Sequence, residues 1–285
     1  MEIRSISVLG SGTMGHGIAQ VAAQAGYATR LYDLKDEIVE LGMRRIQENL
    51  AKGVEKGKLT EPERIATLAR LSASSDLGRT LADADLVIEA VPEVFGIKIK
   101  TLREVDRLAP VHCIVASNTS SLSISRLASH LSRPQAFIGM HFFNPVHIMQ
   151  LVEIVIGDRT DGPTLEAVKR VSEQIGKTSI VVKDSPGFAT SRLGVALGLE
   201  AMRMLESGVA SAEDIDKAME LGYRHPMGPL KLTDLVGLDV RLEIAEYLHK
   251  ELVSDVFKPP AILRRMVSEG KLGKKSGQGF YTKYN

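Results

Sequence analysis

The feature that most constrains this chain is a glycine-rich turn between two hydrophobic segments near its N-terminus. An apolar run from Ile3 to Leu9 is typical of a buried strand, and Gly10-Ser-Gly-Thr-Met-Gly15 follows it directly. A helical period of apolar residues then leads to Gly26, and a second strand-like run ends at Asp33. This order of strand, G-x-G-x-x-G, helix, strand and acid indicates a dinucleotide-binding βαβ unit.

Each part of this unit has a physical role. Gly10 permits a tight turn from strand to helix, Gly12 lets the backbone approach a pyrophosphate, and Gly15 lets the helix pack on the sheet. The helix N-terminus offers N–H groups to the anion. Asp33 lies where a carboxylate accepts hydrogen bonds from the adenosine ribose, which favours NAD over NADP. An ordinary glycine-rich turn is the alternative, but it does not explain why these conditions occur together.

Strand and helix patterns alternate beyond this unit. Strand patterns at 85–91, 113–117 and 136–140 are separated by helical or polar segments, which predicts a doubly wound, mostly parallel sheet. The strand pattern at 151–156 follows its predecessor too closely for a helical crossover, so we expect it to run antiparallel. Two amphipathic helical patterns within 37–71 predict a helical hairpin inserted into this domain.

The pattern changes at Asp184-Ser-Pro-Gly-Phe188, where proline and glycine mark a break. Everything beyond it has helical periodicity, apart from a loop at 225–230 and a basic, glycine-rich segment at 272–281. We therefore predict a Rossmann-type α/β domain over residues 1–183 and an all-helical C-terminal domain over residues 184–285.

Composition limits the possible functions. Lys and Arg total 36 against 35 Asp and Glu, so the formal net charge of +1 argues against a nucleic-acid partner. No apolar stretch approaches the length of a membrane span, and the first strand begins without a signal peptide, so we expect a cytoplasmic protein that has no membrane partner. Cys113 is the only cysteine and lies in an apolar run, which predicts a buried thiol. We predict no metal site.

Polar side chains that can do chemistry gather at the predicted carboxyl ends of the strands. They include Glu93, Ser120, His141 and Asn144. A histidine can take a proton near neutral pH, and a carboxylate on the next strand can orient its ring and stabilise the imidazolium. Glu153 is such a carboxylate if its strand pairs with that of His141. A histidine packed among aromatic residues, with no catalytic role, is the alternative.

Six motifs extend over essentially the whole chain. They are Gly10-x-Gly-x-Met-Gly-x-Gly-Ile-Ala19, Ala90-Val-Pro-Glu93, Asn118-Thr-Ser-Ser-Leu122, His141-Phe-Phe-Asn-Pro145, Asp184-Ser-Pro-Gly-Phe188 and Gly273-Lys-Lys-Ser-Gly-x-Gly-Phe-Tyr281. Together they resemble the L-3-hydroxyacyl-CoA dehydrogenase family, particularly its short bacterial 3-hydroxybutyryl-CoA type. The resemblance implies NAD-dependent oxidation of (S)-3-hydroxyacyl-CoA to 3-oxoacyl-CoA and the reverse reaction. It also implies short acyl chains and a place in fatty-acid β-oxidation.

The resemblance assigns roles to individual residues. His141 would be the general base, Glu153 would orient it, and Ser120 would bind the substrate oxygen beside the nicotinamide. The residues that would bind NAD are Gly10, Gly12, Met14, Gly15, Asp33, Glu93, Lys98, Ser120, Asn144 and Lys275. Asn49 and Lys56, in the helical hairpin, match positions that contact CoA. The family usually dimerises through its second domain, so we expect a homodimer.

Ser191 departs from the family pattern, because many relatives have an active-site Asn at this position. A serine keeps a short donor and acceptor but loses the amide, and we retain it among the catalytic residues.

Two other interpretations remain open. A dehydrogenase of a free hydroxy acid, of the gulonate type, would share the His141–Glu153 pair and differ at the CoA-facing hairpin. A catalytically silent NAD-binding protein is the other, and the intact His141, Glu153 and Ser120 argue against it.

Overall fold

The computed structural model describes residues 2–283, which divide into two compact units at Ser185 and Pro186. The first unit is built on one eight-stranded sheet. Its strands are β1 (Ser5–Leu9), β2 (Ala28–Tyr32), β3 (Leu71–Ser74), β4 (Leu86–Glu89), β5 (Ile114–Ser117), β6 (Phe137–Phe142), β7 (Leu151–Ile156) and β8 (Thr178–Lys183). Their order across the sheet is β3-β2-β1-β4-β5-β6-β7-β8.

Seven helices accompany the sheet within the described part of this unit. They are α1 (Gly15–Gln24), α2 (Asp36–Glu55), α3 (Glu61–Ala69), α4 (Leu77–Leu81), α5 (Phe95–Leu108), α6 (Ile124–Ala128) and α7 (Gly162–Gln174). Apolar side chains of the central strands and of α1, α2 and α7 form a continuous core. The α/β fold with a mostly parallel sheet, predicted from the alternating patterns, is confirmed.

The strand pairing agrees with the short connection between β6 and β7. β7 runs antiparallel to β6, whereas the other neighbouring strands in the described sheet pair in parallel. A parallel pair would need a crossover of a dozen or more residues. The predicted antiparallel strand is therefore confirmed. We expected His141 to lie just beyond the end of this strand. β6 extends through Phe142, however, so His141 lies within it.

α2 and α3 form a helical pair that follows β2. α3 begins with a capping box, in which the Thr60 side chain accepts from the Glu63 N–H and the Glu63 carboxylate accepts from the Thr60 N–H. α2 buries Val39, Ile46 and Leu50 and leaves its other face polar. Such a pair has one face for packing and one that solvent and ligands can reach.

The second unit is helical, as predicted, with its own apolar core. Its helices are α8 (Thr190–Glu206), α9 (Ala212–Gly222), α10 (Pro229–Val236), α11 (Leu238–Leu252) and α12 (Ala261–Ser268). The predicted loop at 225–230 was partly wrong, because α10 begins at Pro229. Proline is common at the first position of a helix, where its missing N–H costs nothing.

Buried carboxylates hold the C-terminal segment of the second unit. Asp234 accepts from the N–H groups of Phe280 and Tyr281, each at 2.9 Å, and the Tyr281 hydroxyl donates to Asp216 at 2.8 Å. Both acids are buried. In the described part of the chain, no helix has the length and apolar character needed to cross a membrane.

Candidate active site

The glycine turn has the shape that a dinucleotide requires. A Cβ added to Gly10 would lie 2.6 Å from the Ala90 carbonyl oxygen, and one added to Gly15 would lie 1.6 Å from the Gly10 carbonyl oxygen. A Cβ on Gly12 would meet nothing within 4 Å. The turn is thus packed against the sheet on one side and open on the other. The open side, at the N-terminus of α1, fits a pyrophosphate.

Asp33 connects the end of β2 to this turn. Its Oδ2 accepts from the Ser11 N–H at 2.8 Å and from the Ser11 hydroxyl at 3.1 Å, and its Oδ1 accepts from the Leu34 N–H at 2.8 Å. The carboxylate therefore fixes the glycine turn, besides lying where a ribose would be recognised. The sequence pattern indicates only the second of these roles.

A buried carboxylate that sequence analysis missed lies at the end of β4. Glu89 has no exposed surface, and its Oε1 accepts from Lys98 Nζ at 2.6 Å and from the Val91 N–H at 2.8 Å. Its Oε2 accepts from the Ser117 hydroxyl at 2.6 Å. Burial raises the pKa of Glu89, and the Lys98 charge and these hydrogen bonds oppose that rise.

Glu93 shares the same lysine, with its Oε2 at 3.2 Å from Lys98 Nζ. Its Oε1 accepts from the Thr119 hydroxyl and from the N–H groups of Ser120, at 2.9 Å, and Ser121, at 3.2 Å. Burial alone would raise the pKa of Glu93, but Lys98 and these donors hold it below its ordinary value. Glu93 therefore remains a charged acceptor that organises the loop carrying Ser120.

His141 and Glu153 are direct partners across β6 and β7. His141 Nδ1 lies 2.7 Å from Glu153 Oε2, and the two residues are 7% and 0% exposed. A carboxylate can only accept, so Nδ1 carries the hydrogen and Nε2 is the basic nitrogen. The Phe143 ring packs on the imidazole, with 4.5 Å between ring centroids. This arrangement can take a proton from a substrate hydroxyl and stabilise the resulting cation.

A cavity of about 390 Å³ brings six of the predicted residues of the first unit together. The predicted residues that line it are Met14, Glu93, Lys98, Ser120, His141 and Asn144. Asn118, which the sequence analysis did not assign a role, lines it too and accepts from the Phe142 N–H at 2.9 Å. That bond joins the end of β5 to β6 beside His141. This role of Asn118 depends on a contact between residues 24 positions apart, so no local sequence signal could have identified it.

Nine predicted site residues do not line this cavity. Five of them belong to the features described above: Gly10, Gly12, Gly15 and Asp33 at the glycine turn, and Glu153, which pairs with His141. The other four lie elsewhere. Asn49, in α2, donates to Gln20 Oε1 at 3.3 Å, and Lys56 is the exposed residue that ends the same helix. Ser191 and Lys275 belong to the second unit. Ser191 lies in the first turn of α8, and Lys275 Nζ forms an ion pair with Asp239 at 2.5 Å.

Neither a reactive thiol nor a metal centre is found among residues 2–283. Cys113 is buried, as predicted, and burial raises the pKa of its thiol to about 12, which makes it a poor nucleophile. Within residues 2–283, no three His, Cys, Asp or Glu side chains are grouped so that they could hold a metal ion.

Comparison with known proteins assigns this arrangement to a family. The model of the 3-hydroxyacyl-CoA dehydrogenase NAD binding domain matches residues 5–185, and that of the C-terminal domain matches residues 187–283. A probable 3-hydroxybutyryl-CoA dehydrogenase of Bacillus subtilis is 46% identical over 281 residues, which cover 99% of this chain and 98% of the relative. The mitochondrial hydroxyacyl-coenzyme A dehydrogenase of Sus scrofa is 41% identical, over 98% of this chain and 91% of the relative.

The solved structures agree. The crystal structure of (S)-3-hydroxybutyryl-CoA dehydrogenase from Ralstonia eutropha superposes with a TM-score of 0.96 at 42% identity, and all of both chains is covered. The resemblance inferred from the six motifs is therefore confirmed. This chain belongs to the 3-hydroxyacyl-CoA dehydrogenase family and is an NAD-dependent dehydrogenase.

Proposed function

We propose that this enzyme interconverts (S)-3-hydroxyacyl-CoA and 3-oxoacyl-CoA thioesters of short chain length, such as 3-hydroxybutyryl-CoA and acetoacetyl-CoA. The observation that carries the proposal is the buried pair of His141 and Glu153, 2.7 Å apart, whose histidine lines a cavity together with Ser120. A base with an orienting carboxylate is what abstraction of a hydroxyl proton requires.

In the mechanism, His141 Nε2 takes the proton of the hydroxyl at C3, and Glu153 stabilises the imidazolium that forms. Ser120 donates a hydrogen bond to the same substrate oxygen, which holds C3 in position. NAD, when bound, supplies the acceptor for the hydride that leaves C3. In the reverse direction, His141 returns its proton to the carbonyl oxygen of the 3-oxo thioester. Ser191 would be a further donor or acceptor at the active site.

For the cofactor, the glycine turn would hold the pyrophosphate and Asp33 the adenosine ribose. Glu93, Lys98 and Asn144 line the cavity and would face the nicotinamide half. Glu93 is the acceptor suited to ribose hydroxyls, since it keeps a lowered pKa. In the second unit, Lys275 would complete the NAD site.

The CoA part of the substrate is inferred from charge. A free hydroxy acid needs a fixed cation near the reacting carbon, usually an arginine. The active-site motifs Asn118-Thr-Ser-Ser and His141-Phe-Phe-Asn-Pro supply hydroxyls, amides and aromatic rings, and no arginine. A CoA thioester has its phosphates far from C3, where Asn49 and the exposed Lys56 at the end of α2 would bind them.

Initial rates test this proposal. We expect a panel of 3-oxoacyl-CoA thioesters with NADH to give the highest kcat/KM with short chains, and free 3-hydroxybutyrate and gulonate to react far more slowly with NAD. Lys56→Ala should raise the KM for acetoacetyl-CoA several-fold and leave kcat nearly unchanged, as loss of uniform binding does. The effect should shrink as salt screens the phosphates.

Lys169→Ala is the matched control, because Lys169 is a lysine on the surface of α7 that pairs with Glu166. It should leave the KM for acetoacetyl-CoA unchanged. If free hydroxy acids react as efficiently as the thioester, and Lys56→Ala behaves like the parent, the substrate is not a CoA thioester. The gulonate-type interpretation would then replace this one.

For the architecture, we propose that residues 1–183 bind NAD and that residues 184–285 close over the substrate and form a homodimer. Exposed apolar side chains in the second unit support an interface, since Leu193 in α8 and Leu235 in α10 are 70% and 52% exposed. Sedimentation equilibrium tests the dimer, and Leu193→Glu should shift it to monomer.

We also propose that the enzyme works in the cytoplasm and in fatty-acid β-oxidation, because CoA thioesters and NAD are both held inside cells. Activity with acetoacetyl-CoA in the cytosolic fraction of the source cells, and its loss when the gene is deleted, would test both points.

A further inference from the structure

We infer that Glu89 is a positioning residue for the cofactor site. It draws the Lys98 ammonium group toward itself and so keeps the Glu93 carboxylate available as an acceptor for NAD. Glu89 does not line the cavity, and its effect is exerted through the lysine. The inference rests on the role given to Glu93 above. Glu89 directly precedes the Ala90-Val-Pro-Glu93 motif and lies in none of the six family motifs.

The first step is the competition for one lysine. Lys98 Nζ lies 2.6 Å from Glu89 and 3.2 Å from both Glu93 and the Val91 carbonyl oxygen. Charge-assisted hydrogen bonds strengthen as they shorten, so Glu89 holds the larger share of the cation. Lys98 is 1% exposed, so the position of its Nζ depends on these acceptors and not on water.

The second step is the charge that remains. Lys98 Nζ and the Val91 N–H both donate to Glu89, which is the pattern of an ionised carboxylate. Two carboxylates therefore share one ammonium group, which leaves one net negative charge in the cluster. Glu89 is fully buried, whereas the Glu93 side chain is 36% exposed. The uncompensated charge is therefore best solvated on Glu93, on the side of the cavity. A carboxylate in that state accepts strongly from hydroxyl donors such as those of a ribose.

The third step connects this charge to the catalytic loop. Glu93 Oε1 accepts from the N–H groups of Ser120 and Ser121 and from the Thr119 hydroxyl. Glu89 also accepts from Ser117, which ends the strand that leads into this loop. A displacement of Lys98 toward Glu93 would therefore weaken the acceptor for NAD and disturb the loop that carries Ser120.

The test is a fluorescence titration that measures the Kd for NADH in the absence of substrate. Glu89→Gln keeps the volume and removes the charge, so Lys98 pairs with Glu93 alone. We expect its Kd for NADH to rise about five- to twenty-fold. This is less than the roughly 10- to 150-fold effect of losing a charge-assisted hydrogen bond completely, because the bond to Glu93 is weakened and not removed. Ser7→Ala is the control. It removes a buried hydrogen bond from the Ser7 hydroxyl to the Thr80 carbonyl oxygen, in the neighbouring strand β1, and should leave the Kd unchanged.

A double-mutant cycle separates positioning from general destabilisation. Lys98→Met removes both a residue assigned to the NAD site and the cation through which Glu89 acts, so the Kd for NADH should change. Adding Glu89→Gln to it should produce no further change in Kd, because Glu89 acts only through Lys98. An equal loss from Glu89→Gln in both backgrounds would overturn the inference. So would a Kd within about two-fold of the parent for Glu89→Gln, since such a change lies below the expected effect of one charge-assisted hydrogen bond.

Two further variants keep the test decisive. If Glu89→Gln does not fold, Glu89→Asp retains the charge but withdraws the carboxylate from Lys98. It should raise the Kd in the same direction, and an unchanged Kd would overturn the inference. Glu93→Gln reports on the role of Glu93 itself. If it weakens NADH binding while the Glu89 variants do not, the inference fails and the cofactor assignment stands. If it has no effect either, the assignment of Glu93 fails.

Discussion

His141 Nδ1 lies 2.7 Å from Glu153 Oε2, and the two residues face each other across the junction of β6 and β7. Both are buried, and they are register partners in the paired segments 139–142 of β6 and 152–155 of β7, so the strand pairing holds the base beside the carboxylate that orients it. Such a pair is preorganised, because the folded strands already hold the two side chains within hydrogen-bond distance.

Replacement of either member should therefore act on turnover more than on cofactor binding. We expect His141→Gln to lower kcat roughly 10²- to 10⁴-fold, the usual worth of a positioned acid or base, while the Kd for NADH changes little. Glu153→Gln should also be severe, because an amide can keep a hydrogen bond but cannot stabilise the imidazolium. Near-normal turnover in a folded His141→Gln variant would show that another group is the base.

The position of Asp33 leads to a prediction about cofactor choice. A carboxylate at the end of β2 binds free ribose hydroxyls and repels a 2′-phosphate, so the enzyme should prefer NADH to NADPH. Asp33→Asn should reduce that preference about ten-fold, which corresponds to ~1.4 kcal/mol, in the ratio of kcat/KM values. Equal efficiency of the parent enzyme with NADH and NADPH would contradict the prediction.

Two variants of Ser191 test whether its hydroxyl takes the active-site role that an Asn amide has in many relatives. If it does, Ser191→Ala should lower kcat while Ser191→Asn largely preserves it. If the position only needs a small residue for helix packing, Ala should be harmless and Asn should destabilise the fold by overpacking, at a cost of about 1–3 kcal/mol. Steady-state rates and thermal unfolding of the two variants distinguish these cases by their opposite order.

A pH effect is expected at His147, in the loop after β6. The residue is exposed overall, but partial desolvation by its neighbours lowers its pKa from 6.5, and the positive charges of His16, Lys177 and Lys58 lower it further. A histidine with a lowered folded pKa binds fewer protons in the folded state, so the stability it contributes is present above about pH 6.5 and is lost as the pH falls through the folded pKa. Urea unfolding should show that the parent loses more stability than His147→Gln between about pH 7.5 and about pH 5.5. The control is His225→Gln, a change in a loop of the second unit. This variant should lose as much stability as the parent over the same pH range.

Local patterns were sufficient to predict the elements on which the site is built. The βαβ unit followed from one motif in its context, and the antiparallel strand followed from the shortness of residues 143–150. Those two elements determine where Asp33 and His141 lie. Side-chain polarity at the ends of strands then identified Ser120 and Asn144.

Other features depend on pairings that a local pattern does not contain. Glu89 lies in an apolar run, where an acid gives no sign that a lysine nine positions later will neutralise it. The edge strand β3 has no fully buried residue, so its hydrophobic signal is weak. α10 begins at a proline beside glycine, a combination that is equally typical of a loop. In each case, the deciding contact comes from another part of the chain.

The close fit at Gly10 and Gly15 also limits how this enzyme can be redesigned. A side chain at either position would collide with backbone atoms, and backbone cannot move aside without displacing the sheet. Libraries for directed evolution of cofactor use should therefore leave the turn unchanged. Diversity belongs instead around Asp33, where Leu34 is 78% exposed and larger or differently charged side chains have room.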